Sequence, residues 1–277
     1  MNKKITRRKS KAFWLTLFVA VFSLTALVPF YIMIMMSTHS STEIFTTINL
    51  LPGHELAKNL QTILNGGFVR YYYNSLKIAA LTVLISVTIS TLTGFAFAKY
   101  NFRFKKTLFT FIVVNMMVPP QLGMVAFVMQ MKYMNLIDSH LPLIMVYAAS
   151  TYGVFFMTQY LQGSLPTEVL ESARMEGCSE WRLFWRIVVP YAKPCMITLA
   201  IIVFMWSWNS YLLPLLILND KSLYTVPLGI ATLGNYYRTD YAAQICGLMV
   251  GTLPLITIFA VGSKYFVKGL TAGAVKG

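Results

Sequence analysis

The sequence predicts an all-α, polytopic membrane protein with six transmembrane helices. Of its 277 residues, 57% are hydrophobic and 12% are charged, whereas a soluble domain carries about 25% charged residues. Six stretches without Asp, Glu, Lys or Arg are long enough to cross a bilayer, which takes about 20 helical residues. Because these stretches are continuously apolar and do not alternate, they favour helices over a transmembrane barrel.

The first predicted helix, 13–36, follows six Lys and Arg residues, as the core of a signal peptide does. Its apolar part is too long for a cleaved signal and no A-x-A site follows, so we expect it to be retained. The remaining helices are predicted at 78–98, 108–131, 141–161, 195–218 and 241–263. The longest connections are predicted at 37–77, 162–193 and 219–240.

The positive charge is unevenly distributed between the predicted connections. Seventeen of the 23 Lys and Arg residues lie at the two termini, in the second-to-third connection and in the fourth-to-fifth connection, and six lie in the others. The positive-inside rule therefore predicts that both termini are cytoplasmic. The net charge of +14 is thereby explained by membrane topology and does not indicate a nucleic-acid partner.

The sequence contains no pattern typical of an enzyme or a metal site. Its three Cys and three His residues are scattered and form no CxxC pair. None of the predicted helices contains a charged residue or His, which disfavours a proton-coupled carrier. A sodium-coupled carrier remains an alternative, because carbonyls and hydroxyls alone can bind sodium. Because GxxxxGK[ST], HExxH and GxSxG patterns are also missing, uphill transport would need energy from a partner.

Residues 165–194, here called the acidic loop, hold four of the nine acidic residues of the chain. A short helix is predicted to begin at Pro166, with Glu168 complementing the helix dipole. It is predicted to end at Gly177, because glycine is the usual left-handed cap. Ala173 and Gly177 lie four residues apart, so a partner backbone is expected to approach there closely.

A second helix of the acidic loop is predicted from Ser179, a favoured N-cap, to Pro190, which would close it. Four apolar residues fall at helical spacing and predict an apolar stripe: Trp181, Phe184, Trp185 and Val188. One interpretation is that the two short helices of the acidic loop insert into a groove on a partner protein. The alternative is an amphipathic hairpin on lipid headgroups, which the acidic first helix disfavours because anionic headgroups would repel it.

The acidic loop resembles the EAA loop of ABC importer permeases, whose pattern is EAA-x3-G-x9-I-x-L-P. Here Glu171 begins the pattern and Gly177 and Ile187 follow at the family's spacing, with Ser172 and Val189 as the departures. In that family the loop forms a coupling helix that docks on the ATP-hydrolysing subunit. The resemblance implies an ATPase-coupling role for Glu168, Glu171, Ser172, Ala173, Glu176, Gly177, Ile187 and Pro190.

Other segments are similar to the carbohydrate branch of that family, specifically the smaller, maltose-type permease subunit. They are YNSL at 73–76, GFAFAKYNF at 94–102, WSWN at 206–209 and the tail at 266–277. The resemblance implies a MetI-like type I importer fold. It also implies a transmembrane type-1 domain at 72–263, preceded by an N-terminal part at 1–71 and followed by a cytoplasmic tail at 264–277.

The resemblance further implies a permease subunit that carries a sugar or oligosaccharide across a bacterial or archaeal plasma membrane. No catalytic residue, metal or cofactor is expected on this chain, and ATP and magnesium would bind the partner ATPase. The expected partners are an ATPase dimer, a second permease subunit, an extracytoplasmic solute-binding protein and membrane lipid, with no nucleic acid. The alternatives are an importer of a polyol, glycerol phosphate or amino acid, a non-transport scaffold, and a channel.

Two groups of residues are predicted to line the solute path. Pro119 and Pro120 remove two amide donors midway along the third predicted helix and are expected to kink it, as a gate or as a purely structural bend. The polar and aromatic candidates suit a sugar, although intramembrane Asn often joins helices. These candidates are Asn115, Gln121, Trp206, Asn209 and Tyr211. A GxxxG pattern from Gly247 to Gly251 predicts a close helix crossing, more readily within the chain than between subunits.

Overall fold

The computed structural model describes residues 2–46, 50–235 and 238–274, with side chains described at 12–46, 50–234 and 239–263. Within these residues, five helical segments are long and apolar enough to cross a membrane, and a bent pair of helices makes a sixth. Five of the six predicted spans are therefore matched by helical segments, and the third, 108–131, is matched by the bent pair if its two helices form one span. The predicted last residues of the tail, 275–277, lie outside the described part of the chain.

Fourteen α-helices are described. They are α1 (Asn2–Met36), α2 (Glu43–Thr46), α3 (Leu56–Asn65), α4 (Phe68–Lys99), α5 (Lys105–Asn115), α6 (Pro120–Tyr133), α7 (Leu141–Ala148), α8 (Thr151–Ser164), α9 (Thr167–Met175), α10 (Glu180–Leu183), α11 (Val189–Trp208), α12 (Leu212–Ile217), α13 (Val226–Ala231) and α14 (Tyr241–Ala274). A π-helical stretch, Phe184–Val188, joins α10 to α11, and a 3-10 turn spans Lys221–Leu223. Strands β1 (Gly234–Asn235) and β2 (Arg238–Thr239) pair antiparallel.

The predicted fifth span, 195–218, is wrong at its end. Helix α11 stops at Trp208, and α12 starts at Leu212 after a break. A continuous helix would place Pro214 in its interior, where the ring clashes with the carbonyl four residues earlier and the N–H is missing. The break instead puts Pro214 in the first turn of α12, where an N–H has no helical partner in any case.

The second span also starts earlier than predicted, at Phe68 instead of residue 78. The extra turns contain Arg70, Lys77 and polar and aromatic residues, which an uncharged apolar stretch does not include. A 32-residue helix is about 48 Å long, longer than the hydrocarbon core of a bilayer, which is about 30 Å thick. Helix α4 therefore has length to spare beyond the bilayer core.

The chain divides into two compact units, and the first contains residues 1–68 and 230–251. In this unit the Asn59 amide, which is buried, donates to the carbonyls of Ser37 (2.9 Å) and His39 (3.0 Å). These bonds fix the chain after α1 against α3. A Cβ at Gly247 would come 2.9 Å from Ile230 Cγ1, so this glycine of the GxxxG pattern permits close packing within the chain.

The second unit contains residues 69–229 and 252–277. Helix α4 contributes Ile78, Val87 and Phe95 to three successive apolar clusters, spread over about 26 Å of helix. The middle cluster also contains Met157 of α8 and Leu199 of α11. The core of this unit therefore consists of three apolar clusters along α4, with a loop region at each end of the helix.

Candidate functional site

The first helix of the acidic loop is present but begins one residue later than predicted. Pro166 has an extended backbone and occupies the N-cap position, and α9 starts at Thr167. Glu168 lies in the first turn, where a carboxylate is stabilised by the helix dipole. Leu165 and Leu170 are fully buried, so they anchor the start and the inner face of α9.

Gly177 ends α9 as predicted, in the left-handed conformation with φ of +77°. Its N–H bonds to the Arg174 carbonyl, and the Cys178 N–H bonds to the Ala173 carbonyl, both at 3.0 Å. These two bonds form a Schellman motif, which satisfies the last carbonyls of the helix. A Cβ at Gly177 would find open space within 4 Å, so backbone conformation and not crowding calls for glycine here.

The second helix of the acidic loop begins as predicted, because the Ser179 hydroxyl accepts from the Arg182 N–H. The prediction that Pro190 closes it is wrong, because the helical path continues through the π-helical stretch into α11. The Val189 N–H bonds to the Phe184 carbonyl, five residues earlier. The wider π turn accommodates the proline, so Ile187 and Pro190 lie at the point where the loop enters the span.

The exposed face of α9 and its C-cap carries three carboxylates. Its carboxylates at Glu168, Glu171 and Glu176 are exposed, as is Ser172, and Met175 is 90% exposed. Ala173 is half-buried beneath this surface. The predicted apolar stripe is divided. Phe184 and Val188 are buried in the cluster below α9, and Trp181 and Trp185 are exposed.

A polar cluster that the sequence did not predict lies beneath the end of α9. Arg174 Nε donates to Glu180 Oε1 at 2.8 Å, and Arg174 Nη2 donates to Glu180 Oε2 at 3.3 Å. The Tyr100 hydroxyl, just after α4, donates to the same carboxylate, and the Arg174 guanidinium lies 5.5 Å from the Tyr100 ring centroid. We call Tyr100, Arg174 and Glu180 the buttress.

Ionisation within the buttress follows from these contacts. Burial and the hydrogen bond to Glu180 raise the pKa of the Tyr100 hydroxyl, so it remains a proton donor. The hydrogen bond to Glu180 likewise raises the pKa of Arg174. No sequence spacing signals this cluster, because Tyr100 and Glu180 are 80 residues apart.

The third predicted helix is broken at the proline pair. Helices α5 and α6 meet at an angle of 98°, with Asn115 as the last residue of α5 and Pro119 as the N-cap of α6. Pro120 is the first residue of α6 and Gln121 the second, and all four side chains are exposed. The predicted kink is therefore present and is much sharper than a bend within one helix.

The candidates near the end of α11 lie at a second break. Trp206 is in the last turn, Asn209 is the C-cap, and Tyr211 precedes α12. All three are exposed, and the Trp206 ring meets the Tyr152 ring edge-on at 5.3 Å. Among the described residues, no hydrogen bond or ring contact joins this group to the group around Pro119.

At the other end of α4, residues 134–140 and 217–226 bind each other; we call them the crossed loops. The Asp138 carboxylate accepts from the N–H groups of Asn219 and Asp220 and from the Asn219 side-chain amide. The hydrogen bond from the Asn219 N–H, and to a smaller extent the one from the Asp220 N–H, lowers the pKa of Asp138. His140 Nε2 donates to the Leu223 carbonyl at 2.8 Å.

Helix α4 also holds the crossed loops. The Asn74 amide donates to the carbonyls of Ser222 and Tyr224, each at 3.0 Å. The Ser75 hydroxyl accepts from the Val226 N–H at 2.8 Å. In the sequence, residues 74–76 carry only a family resemblance. In the structure, Asn74 and Ser75 hold residues 222–226 against α4, and we call this contact the clamp.

The architecture is that of a multi-pass membrane protein. It aligns with a TM-score of 0.78, at 19% identity, with a chain from the crystal structure of a bacterial ABC transporter involved in the import of the acidic polysaccharide alginate. The alignment covers 93% of this chain and 97% of that one. At this identity the likeness supports the fold.

The protein belongs to the family of binding-protein-dependent transport system inner membrane components, whose family model matches residues 86–270. It is 34% identical over 268 residues to the arabinooligosaccharides transport system permease protein AraQ of Bacillus subtilis, covering 95% of both chains. It is 31% identical to the probable starch degradation products transport system permease protein AmyC of Thermoanaerobacterium thermosulfurigenes, covering 95% of this chain and 96% of that one. The chain is thus an inner-membrane permease and not itself an enzyme.

Proposed function

We propose that this permease imports a sugar or an oligosaccharide with energy from ATP hydrolysed on a partner. The two relatives named for oligosaccharide or starch-product transport align with 95% of this chain, which supports this solute class. ATP and magnesium are assigned to the partner ATPase, and no cofactor is assigned to this chain.

The exposed acidic face of α9 carries the coupling part of the proposal. Leu170 fixes the inner face of the helix, and the carboxylates of Glu168, Glu171 and Glu176 remain on the outer surface. A short helix with a fixed inner side and a charged outer side suits a groove with basic groups at its rim, because carboxylates form strong bidentate pairs with Arg. Met175, the most exposed apolar residue of α9, suits an apolar floor.

The occupant we propose for this groove-binding helix is the ATPase dimer. When ATP closes the dimer, α9 moves with it, and the acidic loop transmits the movement to α8 and α11, to which it is covalently joined. The spans then alternate between outward-facing and inward-facing arrangements. Two such helices are needed for a symmetric ATPase dimer, so a second, homologous permease subunit supplies the other.

The two helix breaks are the proposed solute path on this subunit. Breaks expose backbone groups, which are tolerated at membrane depth only where they line protein or a cavity. The group around Pro119 and Pro120 includes the amides of Asn115 and Gln121. At the second break, Trp206 and Tyr211 offer aromatic faces for sugar rings and Asn209 offers hydrogen bonds. An extracytoplasmic binding protein is proposed to deliver the solute.

The test is reconstitution of the complete importer in proteoliposomes, with uptake and ATP hydrolysis measured on arabinooligosaccharides, maltooligosaccharides, a polyol, glycerol 3-phosphate and an amino acid. Wild-type complex is expected to take up an oligosaccharide only with ATP. Glu171→Lys is expected to insert normally but to lose solute-stimulated hydrolysis, since it reverses a charge on the docking face. Glu55→Lys, on an exposed ion pair with Lys58, is the matched control.

Four results would each contradict a part of the proposal. Uptake without ATP would indicate a channel, and purification without a stoichiometric ATPase would indicate a scaffold. Uptake of only a non-sugar solute would overturn the assigned solute class while leaving the ATPase coupling intact. Full stimulation in Glu171→Lys would remove α9 from the docking surface.

A further inference from the structure

The buttress and one neighbouring bond link two pairs of consecutive helices, α4 with α5 and α9 with α10, that are far apart along the chain. Arg174 is in the last turn of α9, Glu180 is the first residue of α10, and Tyr100 directly follows α4. Lys105, the first residue of α5, donates its amine to the Tyr100 carbonyl at 2.8 Å. The end of the docking helix is thus linked to the spans on both sides of the second-to-third connection.

Tyr100 itself is held firmly. Its N–H continues the helical hydrogen bonding to the Ala96 carbonyl at 3.1 Å, and its ring packs edge-on against Phe95 at 5.2 Å. Phe95 is buried in the cluster that contains Leu170 of α9. The hydroxyl therefore projects from a fixed ring, and its bond to Glu180 fixes the distance between α4 and the acidic loop.

Stability does not account for this arrangement. The side chains of Arg174 and Glu180 are 35% and 54% exposed, and ion pairs of such exposure contribute about 0–1 kcal/mol. The buried apolar cluster beneath α9 holds the loop in place without them. A two-pronged guanidinium–carboxylate contact, however, fixes orientation as well as distance, which apolar packing does poorly because it is non-directional.

We propose that Tyr100, Arg174 and Glu180 are positioning residues that transmit the movement of α9 to α4 and α5, and so to the broken span at Pro119. The inference rests on the proposed docking of α9 and goes beyond it. Without the buttress, α9 still binds the ATPase and still pulls on α8 and α11 through the chain. The broken span at Pro119 then no longer moves together with α9, and less solute is transported for each ATP hydrolysed.

The experiment uses the reconstituted complex of two permeases, ATPase dimer and binding protein. Tyr100→Phe removes one hydroxyl and keeps the ring, and Glu180→Gln removes the charge and keeps the shape. For each, we expect ATPase co-purification and basal hydrolysis within about twofold of wild type, while solute molecules transported per ATP fall about fivefold or more, as for a typical coupling free energy. Tyr133→Phe, at a tyrosine that is 91% exposed on α6, is the matched control.

The double variant Tyr100→Phe/Glu180→Gln tests whether the residues act as one unit. Because both single changes weaken or remove the same contact between Tyr100 and Glu180, the double variant is expected to be no worse than the more affected single variant. Transport per ATP within about twofold of wild type in both single variants, or additive losses in the double variant, would overturn the inference. A parallel loss of assembly and hydrolysis at unchanged transport per ATP would assign the cluster a structural role and overturn it too.

A wild-type complex that binds no ATPase would contradict the proposed function and leave no coupling to transmit. That result is distinguishable from failure of the buttress, in which the wild-type complex assembles and transports, and the variants do so equally well.

Discussion

The two ends of α4 use hydrogen bonds in opposite ways. At the crossed loops, side chains of Asn74, Ser75 and Asp138 bond to backbone groups of residues 219–226, so the polar groups are used up internally. At the acidic loop, apolar packing holds the inner face and three carboxylates remain exposed. The first end is built to be rigid, and the second leaves charge available for a partner.

Of the changes that test this difference between the two ends of α4, Gly177→Leu is expected to have the largest effect, which is on ATPase binding. A left-handed φ is strained for any residue with a Cβ, by about 1–2 kcal/mol, and the side chain would enter open space at the end of α9, where we propose that the ATPase docks. We expect ATPase affinity to fall about tenfold or more, as for the loss of a central interface contact, while the strain lowers the thermal midpoint by a few degrees. The measurement is surface binding of purified ATPase to the permease pair in nanodiscs.

Gly123→Leu is the control for Gly177→Leu, because a Cβ there also meets open space and lies on α6, away from the docking face. Equal loss of ATPase binding in the two variants would show that the effect does not come from the acidic loop.

The next largest effect is expected at the crossed loops, from Asn74→Ala. Asn74 is buried and donates to two backbone carbonyls, so its removal leaves two acceptors unsatisfied and costs about 2 kcal/mol. Thermal unfolding and proteolysis of residues 217–226 should report the loss, with ATPase binding unchanged. The exposed Asn115→Ala should leave both measurements at the wild-type value, and a loss of ATPase binding in Asn74→Ala would contradict the separation of the two ends.

A smaller effect is expected from acid on the crossed loops. The pKa of Asp138 is lowered by the N–H groups of Asn219 and Asp220, and that of Asp220 is lowered by Ser222. A lowered pKa stabilises the fold fully above the ordinary value of 3.8, and this stabilisation is lost as pH falls through the folded-state value. Thermal midpoints measured downward from pH 5 should therefore fall less steeply in Asp138→Asn, and an unchanged slope would contradict the assignment.

The smallest effect is expected from Ser179→Ala. The hydroxyl caps the helix that leads into α11, and loss of such a cap costs about 1 kcal/mol. Because the buried residues Leu183 and Phe184 hold this helix, the thermal midpoint should fall only slightly and ATPase binding should persist. Ser179→Asp, which also caps, should restore the midpoint; failure to do so would show that the hydroxyl acts in another way.

Local features of the site were predictable because their signals are local. Gly177 was identified as a left-handed cap, Ser179 as an N-cap and the Pro119–Pro120 pair as a helix interruption, and each depends on backbone chemistry within a few residues. The prediction of a helix end at Pro190 is wrong, because a π turn at Phe184–Val188, anchored by buried Phe184 and Val188, accommodates the proline. The contact of Tyr100 with Glu180 and the bonds of Asn74 to the crossed loops had no sequence signal, since the partners are 80 or more residues apart.

By itself the sequence determined the helical class, the apolar segments that can span a membrane and the glycine cap that ends α9, because hydrophobic length and backbone propensity act over a few turns. Only the tertiary structure decided that α4 carries three apolar clusters and that Tyr100 meets Glu180. It also decided that α5 and α6 meet at an angle of 98°. Those outcomes depend on which distant surfaces meet, and side-chain packing chooses among such arrangements by shape and not by composition.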